Sequence, residues 1–149
     1  KTVEKYVILL EQSYVIFRLN SFSRNLRNEL KTSKKIYFYD NGIRNALIAN
    51  FNQIEGRADR GALWENFLIS ERKKFLEYNR LWGNSWFWRT KEQKEIDLVE
   101  ERDGKITGYE FKWNPDQKVK IPRLFLDSYE NSDFQVIHRD NCDSFLLEY

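Results

Sequence analysis

Two acidic residues, Asp97 and Glu110, lie on the two arms of a predicted hairpin, where strands normally carry apolar residues. The arms meet at Asp103-Gly104, and an Asp-Gly pair between alternating apolar residues is a strong signal for a two-residue hairpin loop. A loop of that length places Asp97 directly opposite Glu110. Opposed like charges destabilise a strand pair, so these carboxylates need a cation, a shared proton or full solvation.

The same register gives the hairpin one apolar face and one charged face. The apolar face carries Ile96, Leu98, Tyr109 and Phe111, and the charged face carries Glu95, Asp97, Glu110 and Lys112. Two acids and a lysine on one face of a hairpin are suited to binding a cation and to stabilising an anion. The charged face is therefore a candidate active site.

A third acid, Glu65, lies on the apolar side of a predicted helix, next to Leu68 and Ile69 at helical spacing. A carboxylate in apolar surroundings needs a partner. A helix with an acid, a strand with an acid and a strand with Glu-x-Lys follow one another in the PD-(D/E)XK nuclease core. Glu65, Asp97, Glu110 and Lys112 fill these four places in that order.

Hydrophobic periodicity predicts the elements that position these residues. The expected elements are a helix at 2–12, strands at 13–19 and 35–40, a short helix over IRNALIANF, a helix at 62–78, a strand at 85–90, the hairpin at 94–113, a short helix within 120–129 and strands at 134–140 and 144–149. A long helix, a three-stranded meander, a helical crossover and further strands indicate an α/β fold. The predicted domains are 1–40 and 41–149.

Composition is typical of a soluble globular domain. The chain has 149 residues, of which 41% are hydrophobic and 32% are charged, and no apolar run approaches the ~18 residues of a membrane span. One cysteine, Cys142, cannot form an internal disulfide, and together with the lack of a signal-peptide pattern this predicts a cytoplasmic location. The chain begins with Lys and contains no Met, so we expect a fragment of a longer polypeptide.

Positive charge is concentrated at the start of the chain, although the net charge is only +2. Residues 1–35 contain eight Lys and Arg residues and three acids. The candidate phosphate contacts are Arg18, Arg24, Arg27, Lys31, Lys34 and Lys35. The alternative is a solvated charged surface.

Six segments, distributed over nearly the whole chain, carry a family resemblance: VILLEQSYVIFRL, SFSRNLRNELKTSKKIYFYD, YFYDNGIRNALI, GALWENFL, WFWRTKEQKEIDLV and YEFKW. They resemble the domain-of-unknown-function family at the C-terminus of bacterial and archaeal AAA-type ATPases. The resemblance implies an N-terminal P-loop ATPase domain that binds ATP, then a winged helix, then a restriction-endonuclease-like domain. Since no G-x-x-x-x-G-K-[ST] motif is present, the ATPase would lie outside this chain.

The resemblance also implies roles for the candidate site residues. It predicts a restriction-endonuclease-like PD-(D/E)XK core with a mixed central sheet flanked by helices, preceded over residues 1–40 by the C-terminal part of a winged helix. Asp97, Glu110 and the backbone carbonyl of Phe111 would bind Mg²⁺ or Mn²⁺. Glu65 would hold a water or a second ion, and Lys112 would position or activate the attacking water.

Three functions follow as hypotheses: a metal-dependent DNA nuclease, a noncatalytic DNA-binding or regulatory module of the ATPase, and a protein-interaction domain. Each site residue also has a simpler interpretation. Asp97 and Glu110 could face solvent, Lys112 could pair with Glu95, and Glu65 could pair with Arg72 or Arg60. The single His138 and single Cys142 lack the partners that zinc or a Cys-His nucleophile requires.

Overall fold

The structure is a computed structural model and describes residues 1–24, 26–27 and 29–147. Its elements in chain order are α1 (Thr2–Gln12), β1 (Ile16–Asn20), β2 (Lys34–Phe38), α2 (Asn41–Leu47), a 3-10 turn (Ile54–Gly56), α3 (Arg60–Tyr78), β3 (Asn84–Arg89), β4 (Glu95–Arg102), β5 (Lys105–Phe111), α4 (Arg123–Ser128), β6 (Ser132–Ile137) and α5 (Cys142–Leu147). In these residues no helix combines the length and apolar character that a membrane crossing requires.

The main sheet has four strands in the order β3-β4-β5-β6. Strands β3, β4 and β5 form an antiparallel meander, and α4 then crosses over so that β6 pairs parallel with β5. Helices α3 and α5 pack together on one face, and Phe125 of α4 packs on the other. The predicted α/β fold with a mixed sheet flanked by helices is therefore confirmed.

The predicted hairpin loop has the expected geometry. Asp103 and Gly104 both have positive φ angles, 50° and 75°, as a type I′ turn requires. Arg102 pairs with Lys105, and the same register continues to the pair of Leu98 and Tyr109. The sequence-based register of β4 and β5 is confirmed over these pairs.

The predicted last strand, over 144–149, is wrong where it can be compared. Residues 144–147 belong to α5, and residues 148–149 lie outside the described residues. Cys142, Phe145 and Leu146 pack on the core side of this segment, a spacing of three and four residues that matches a helix. The short apolar run fits both periods, and its packing against Tyr109 and Phe111 selects the helix.

A register shift in β4 changes the face that Ile96 occupies. Trp86 pairs with Val99 but Trp88 pairs with Ile96, so β4 has one more residue than β3 over this stretch. Such a bulge changes the alternation of side chains. As a result Ile96 packs with Val99 in one core cluster while Leu98 packs in the other, although the sequence placed Ile96 and Leu98 on one face.

The β1–β2 hairpin shares its core with the main sheet. Phe17, Leu19 and Tyr37 pack in the cluster that contains Trp64 and Leu68 of α3. Strand β1 also extends toward β3 through a bridge between Ser21 and Phe87. The hairpin is thereby fixed against α3 and β3, and the division of the chain at residue 40 stays a prediction.

A buried ion pair connects α3 to the sheet and leads to a stability prediction. Arg72 Nε and Nη2 donate to the two carboxylate oxygens of Glu100, both at 2.9 Å, and Arg72 Nη1 donates to the Phe145 carbonyl at 2.6 Å. Replacing Arg72 with Met leaves the Glu100 charge buried without its cation. We expect this to lower the free energy of unfolding by about 3 kcal/mol in urea denaturation.

The matched control is the double variant Arg72→Met/Glu100→Met, which removes both charges and is expected to recover most of that loss. A single variant that unfolds within about 0.5 kcal/mol of wild type would contradict the prediction.

Candidate active site

Helix α3 is held in register against β2 by one asparagine. The buried Asn66 side chain accepts the Phe38 N–H and donates to the Phe38 carbonyl, each at 2.9 Å. These two bonds satisfy backbone groups on β2 that a further strand would otherwise pair. They also bring the preceding residue, Glu65, to the side of β2 that carries Lys35 and Tyr37.

Glu65 is held by two side chains from β2. Tyr37 Oη donates to Glu65 Oε1 at 2.5 Å, and Lys35 Nζ lies 3.2 Å from the same oxygen. Burial raises the pKa of the Tyr37 hydroxyl, and the Glu65 charge raises it further, so Tyr37 stays protonated and continues to donate. The simpler interpretation, in which Glu65 pairs with Arg72 or Arg60, is not what the structure shows.

Asp97 lies where the β4–β5 ladder ends. Beyond the pair of Leu98 and Tyr109, the Phe111 N–H is donated to Asp97 Oδ2 at 2.9 Å. The carboxylate therefore satisfies a backbone donor that a regular ladder would pair with a carbonyl. The bulge in β4 lies beside Asp97, and the charges of both Glu65 and Glu110 act on its carboxyl group.

The surroundings of Asp97 disfavour its charge. Burial raises the pKa of the Asp97 carboxyl to about 7, and the charges of Glu65 and then Glu110 act in the same direction. The Phe111 N–H and the Lys35 ammonium act against them. At neutral pH the Asp97 carboxyl is therefore only partly ionised, and an added cation would favour its ionised form.

Two lysines partly neutralise these acids. Lys112, which directly follows β5, has its Nζ 2.8 Å from Glu110 Oε1, rather than pairing with Glu95. Burial lowers the pKa of Lys112, but Glu110 outweighs it, with smaller contributions from Asp97 and Glu65, and the net shift is upward. Glu95 instead pairs with Lys35 and with Arg89 of β3, whose Nη2 lies 2.8 Å from Glu95 Oε2.

The four predicted catalytic residues are Glu65, Asp97, Glu110 and Lys112, and the charges of Glu65 and Glu110 act on both Asp97 and Lys112. Lys35 and Tyr37 complete the cluster, and sequence reasoning did not assign either to it. Their alternation in KIYFYD indicates only that they share one side of a strand. The partner of that side is Glu65, thirty residues from Lys35, and no local pattern identifies it.

The predicted phosphate contacts separate into two groups. Arg18 pairs with Glu4 and Glu11 beside α1, Arg24 pairs with Glu101 of β4, and Lys35 belongs to the acid cluster. Arg27, Lys31 and Lys34 are exposed. Three of the six predicted contacts are thus engaged by carboxylates, and their role toward nucleic acid stays a prediction.

The oxygen atoms near Asp97 and Glu110 can be compared with the ligands that a divalent cation such as Mg²⁺ requires. Within residues 1–24, 26–27 and 29–147, no three His, Cys, Asp or Glu side chains gather closely enough to bind a metal ion by themselves. Mg²⁺ commonly takes one or two carboxylates and completes its shell with water and substrate phosphate. The oxygen atoms of Asp97 and Glu110, with the Phe111 carbonyl on the same strand, fit that smaller set.

Comparison with known proteins places this α/β domain in a family. The chain belongs to the family described as a domain of unknown function, DUF4143, whose model matches residues 60–142. A second model with that description, DUF8612, matches residues 1–54. The predicted membership of a domain-of-unknown-function family is confirmed at this level.

Two mycobacterial proteins are similar to the chain. They are the uncharacterized protein Mb2031c of Mycobacterium bovis and the uncharacterized protein Rv2008c of Mycobacterium tuberculosis, each 29% identical over 113 residues. The match covers 74% of this chain and 25% of each relative, so the chain matches about a quarter of their length. No solved structure matches the chain.

Proposed function

We propose that this chain is a divalent-metal-dependent DNA nuclease domain with a restriction-endonuclease-like PD-(D/E)XK core. The observation that carries the proposal is that Glu65 of α3, Asp97 of β4, Glu110 of β5 and Lys112, which directly follows β5, influence one another's charge. The electrostatic coupling of Asp97 to both other acids supports it, because such coupling is common where catalytic groups converge.

The wider setting is part of the same proposal. The order α1, β1, β2 is compatible with the second half of a winged helix, and the family resemblance supports attachment to an N-terminal AAA-type ATPase acting on DNA in the cytoplasm. The activity and partners of the longer protein are also proposed from this family resemblance.

The residues have distinct tasks in phosphodiester hydrolysis. Asp97, Glu110 and the Phe111 carbonyl would hold Mg²⁺ or Mn²⁺, which supplies Lewis acidity toward the phosphate and lowers the pKa of water. Glu65, which accepts a hydrogen bond from Tyr37, would orient a water and accept its proton. Lys112 can exchange its bond to Glu110 for the phosphate oxygen on which charge develops.

Lys35 forms ion pairs with Glu65 and with Glu95. One observation favours the noncatalytic alternative: Glu65, Glu95 and Glu110 each already contact a lysine, an arrangement that can be stable without a metal. The two functions differ in whether DNA is cut.

The test is incubation of the chain with plasmid and single-stranded DNA in Mn²⁺ or Mg²⁺ and in EDTA. We expect cleavage only with the metal, and we expect the Asp127→Ala control, which replaces an exposed aspartate of α4, to keep it. Cleavage that persists in EDTA would contradict the proposal. DNA binding without cleavage would support the noncatalytic module.

A further inference from the structure

A cleft of about 710 Å³ opens beside the acid cluster, on the face of β5 that carries Glu110 and Lys112. The connection from β5 to α4 and the start of α4 form its other wall and contribute Lys118, Lys120 and Arg123. These three side chains belong to exposed residues. The cleft is therefore continuous with the proposed catalytic residues and is bordered by cations that the sequence did not single out.

The charge of the cleft differs from that of the whole chain. Its charged lining residues are Lys94, Glu95, Glu110, Lys112, Lys118, Lys120 and Arg123. This set has a surplus of three positive charges, whereas the whole chain has a net charge of only +2. Since Glu95 and Glu110 are already paired with cations, the rim presents its positive charge to an incoming anion.

Apart from Gln117, the uncharged residues that line the cleft are apolar. Ile121, Leu124 and Phe134 line the cleft, and Ile121 is 58% exposed. Cations beside apolar and aromatic side chains are typical of sites that bind single strands, in which phosphates meet the charges and unpaired bases pack on the apolar surface. In a duplex the bases are stacked and paired inside the helix, so they cannot pack against this apolar surface.

The size of the cleft also favours a single strand over a duplex. A volume of about 710 Å³ is in the range of small-molecule pockets and takes a few nucleotides rather than a double helix. We propose that this cleft binds a single-stranded nucleic-acid segment, with Lys118, Lys120 and Arg123 on its phosphates, and leads it to Glu110 and Lys112. The inference rests on the proposed nuclease function and specifies its substrate.

Binding in EDTA tests the inference separately from catalysis. The probe is a fluorescein-labelled oligodeoxythymidylate of about 12 nucleotides, measured by anisotropy over a range of salt concentrations. The variant is Lys118→Ala/Lys120→Ala/Arg123→Ala, and we expect it to weaken binding at least tenfold. Because each phosphate contact on a single strand contributes about 0.7 to the salt slope, three lost contacts should flatten it by about 2.

The control removes the same charge elsewhere. Lys1→Ala/Lys5→Ala/Lys105→Ala replaces three exposed lysines away from the cleft and is expected to keep the wild-type salt slope. An unchanged slope in the cleft variant, tighter binding of a duplex of the same length, or no binding by wild type would each overturn the inference. Binding that depends on the cleft, without cleavage in Mn²⁺, would support the single-strand binding site but refute the nuclease, and with it the assignment of the bound strand as a substrate.

Discussion

Replacing Asp97 with Ala is expected to reduce the rate of DNA cleavage about 1,000-fold, and adding Glu110→Ala is expected to reduce it little further. Both carboxylates serve one cation position in the proposed site, so removing either one removes most of what the pair does. The measurement is the initial cleavage rate of the single and double variants at saturating Mn²⁺.

The non-additivity, rather than the loss alone, distinguishes a shared site from two separate effects. If the two residues acted independently, the rate reductions of the two single variants would multiply, and the double variant would be about a million-fold slower than wild type. Asp127→Ala is again the matched control, since it removes an exposed aspartate. Activity that survives Asp97→Ala would place the chemistry elsewhere.

Asp97→Asn is expected to stabilise the metal-free chain and at the same time to abolish most of its response to Mn²⁺. Asparagine keeps an oxygen for the Phe111 N–H and removes the charge that burial, Glu65 and Glu110 disfavour. The pKa of Asp97 is about 7 in the folded chain against an ordinary value of 3.8. Between these pH values the folded chain therefore holds a proton that the unfolded chain has lost.

The sign of the pH dependence follows from that proton. Wild-type stability falls as pH rises from about 4 to about 7, because the unfolded chain binds fewer protons than the folded chain in this window. The Asp97→Asn variant has no carboxyl at this position and so does not lose stability in this way. Its free energy of unfolding should match that of wild type near pH 4 and exceed it by about 2–4 kcal/mol at pH 8. Urea denaturation at a series of pH values in EDTA measures both curves.

The metal response provides the second half of the test. A cation that binds only the folded state stabilises wild type by about 2.7 kcal/mol at 100 times its dissociation constant. The Asn variant loses a charged ligand and should show little of this shift in thermal unfolding. Destabilisation of the metal-free variant together with an unchanged Mn²⁺ shift would identify the acids as structural partners of Lys35 and Lys112, and would remove the main physical support for the nuclease.

Much of the fold could be predicted because its signals are local. The Asp103-Gly104 turn sets the register of β4 and β5, and the helical period over 62–78 predicts α3. Local signals do not show which element, distant in the sequence, a segment will pack against. The bulge in β4 depends on how β3 packs, and α5 is helical because Phe145 meets Tyr109 and Phe111.

The residues of the candidate site also divide into those that a local pattern predicts and those that depend on contacts between distant segments. Asp97, Glu110 and Lys112 could be found because two facing strands bring them together. Lys35 was assigned to phosphate binding because it lies in a basic run, and in the structure it lies between Glu65 and Glu95, while its role toward nucleic acid stays a prediction. A charge run in a sequence does not tell which of its members faces inward, since that depends on the pairing of β2 with β1 and on its contact with α3.

The supply of Lys35 and Tyr37 by β2 has a consequence for recombining such proteins. These two residues lie in the segment that one family model matches, and Glu65 lies in the segment that the other matches. A chimera that joins residues 1–54 of one relative to the following domain of another would fold its acid cluster correctly only if the incoming strand carries the Lys-x-Tyr pair. The two segments are therefore expected to be exchangeable only as matched pairs, like the halves of a split enzyme.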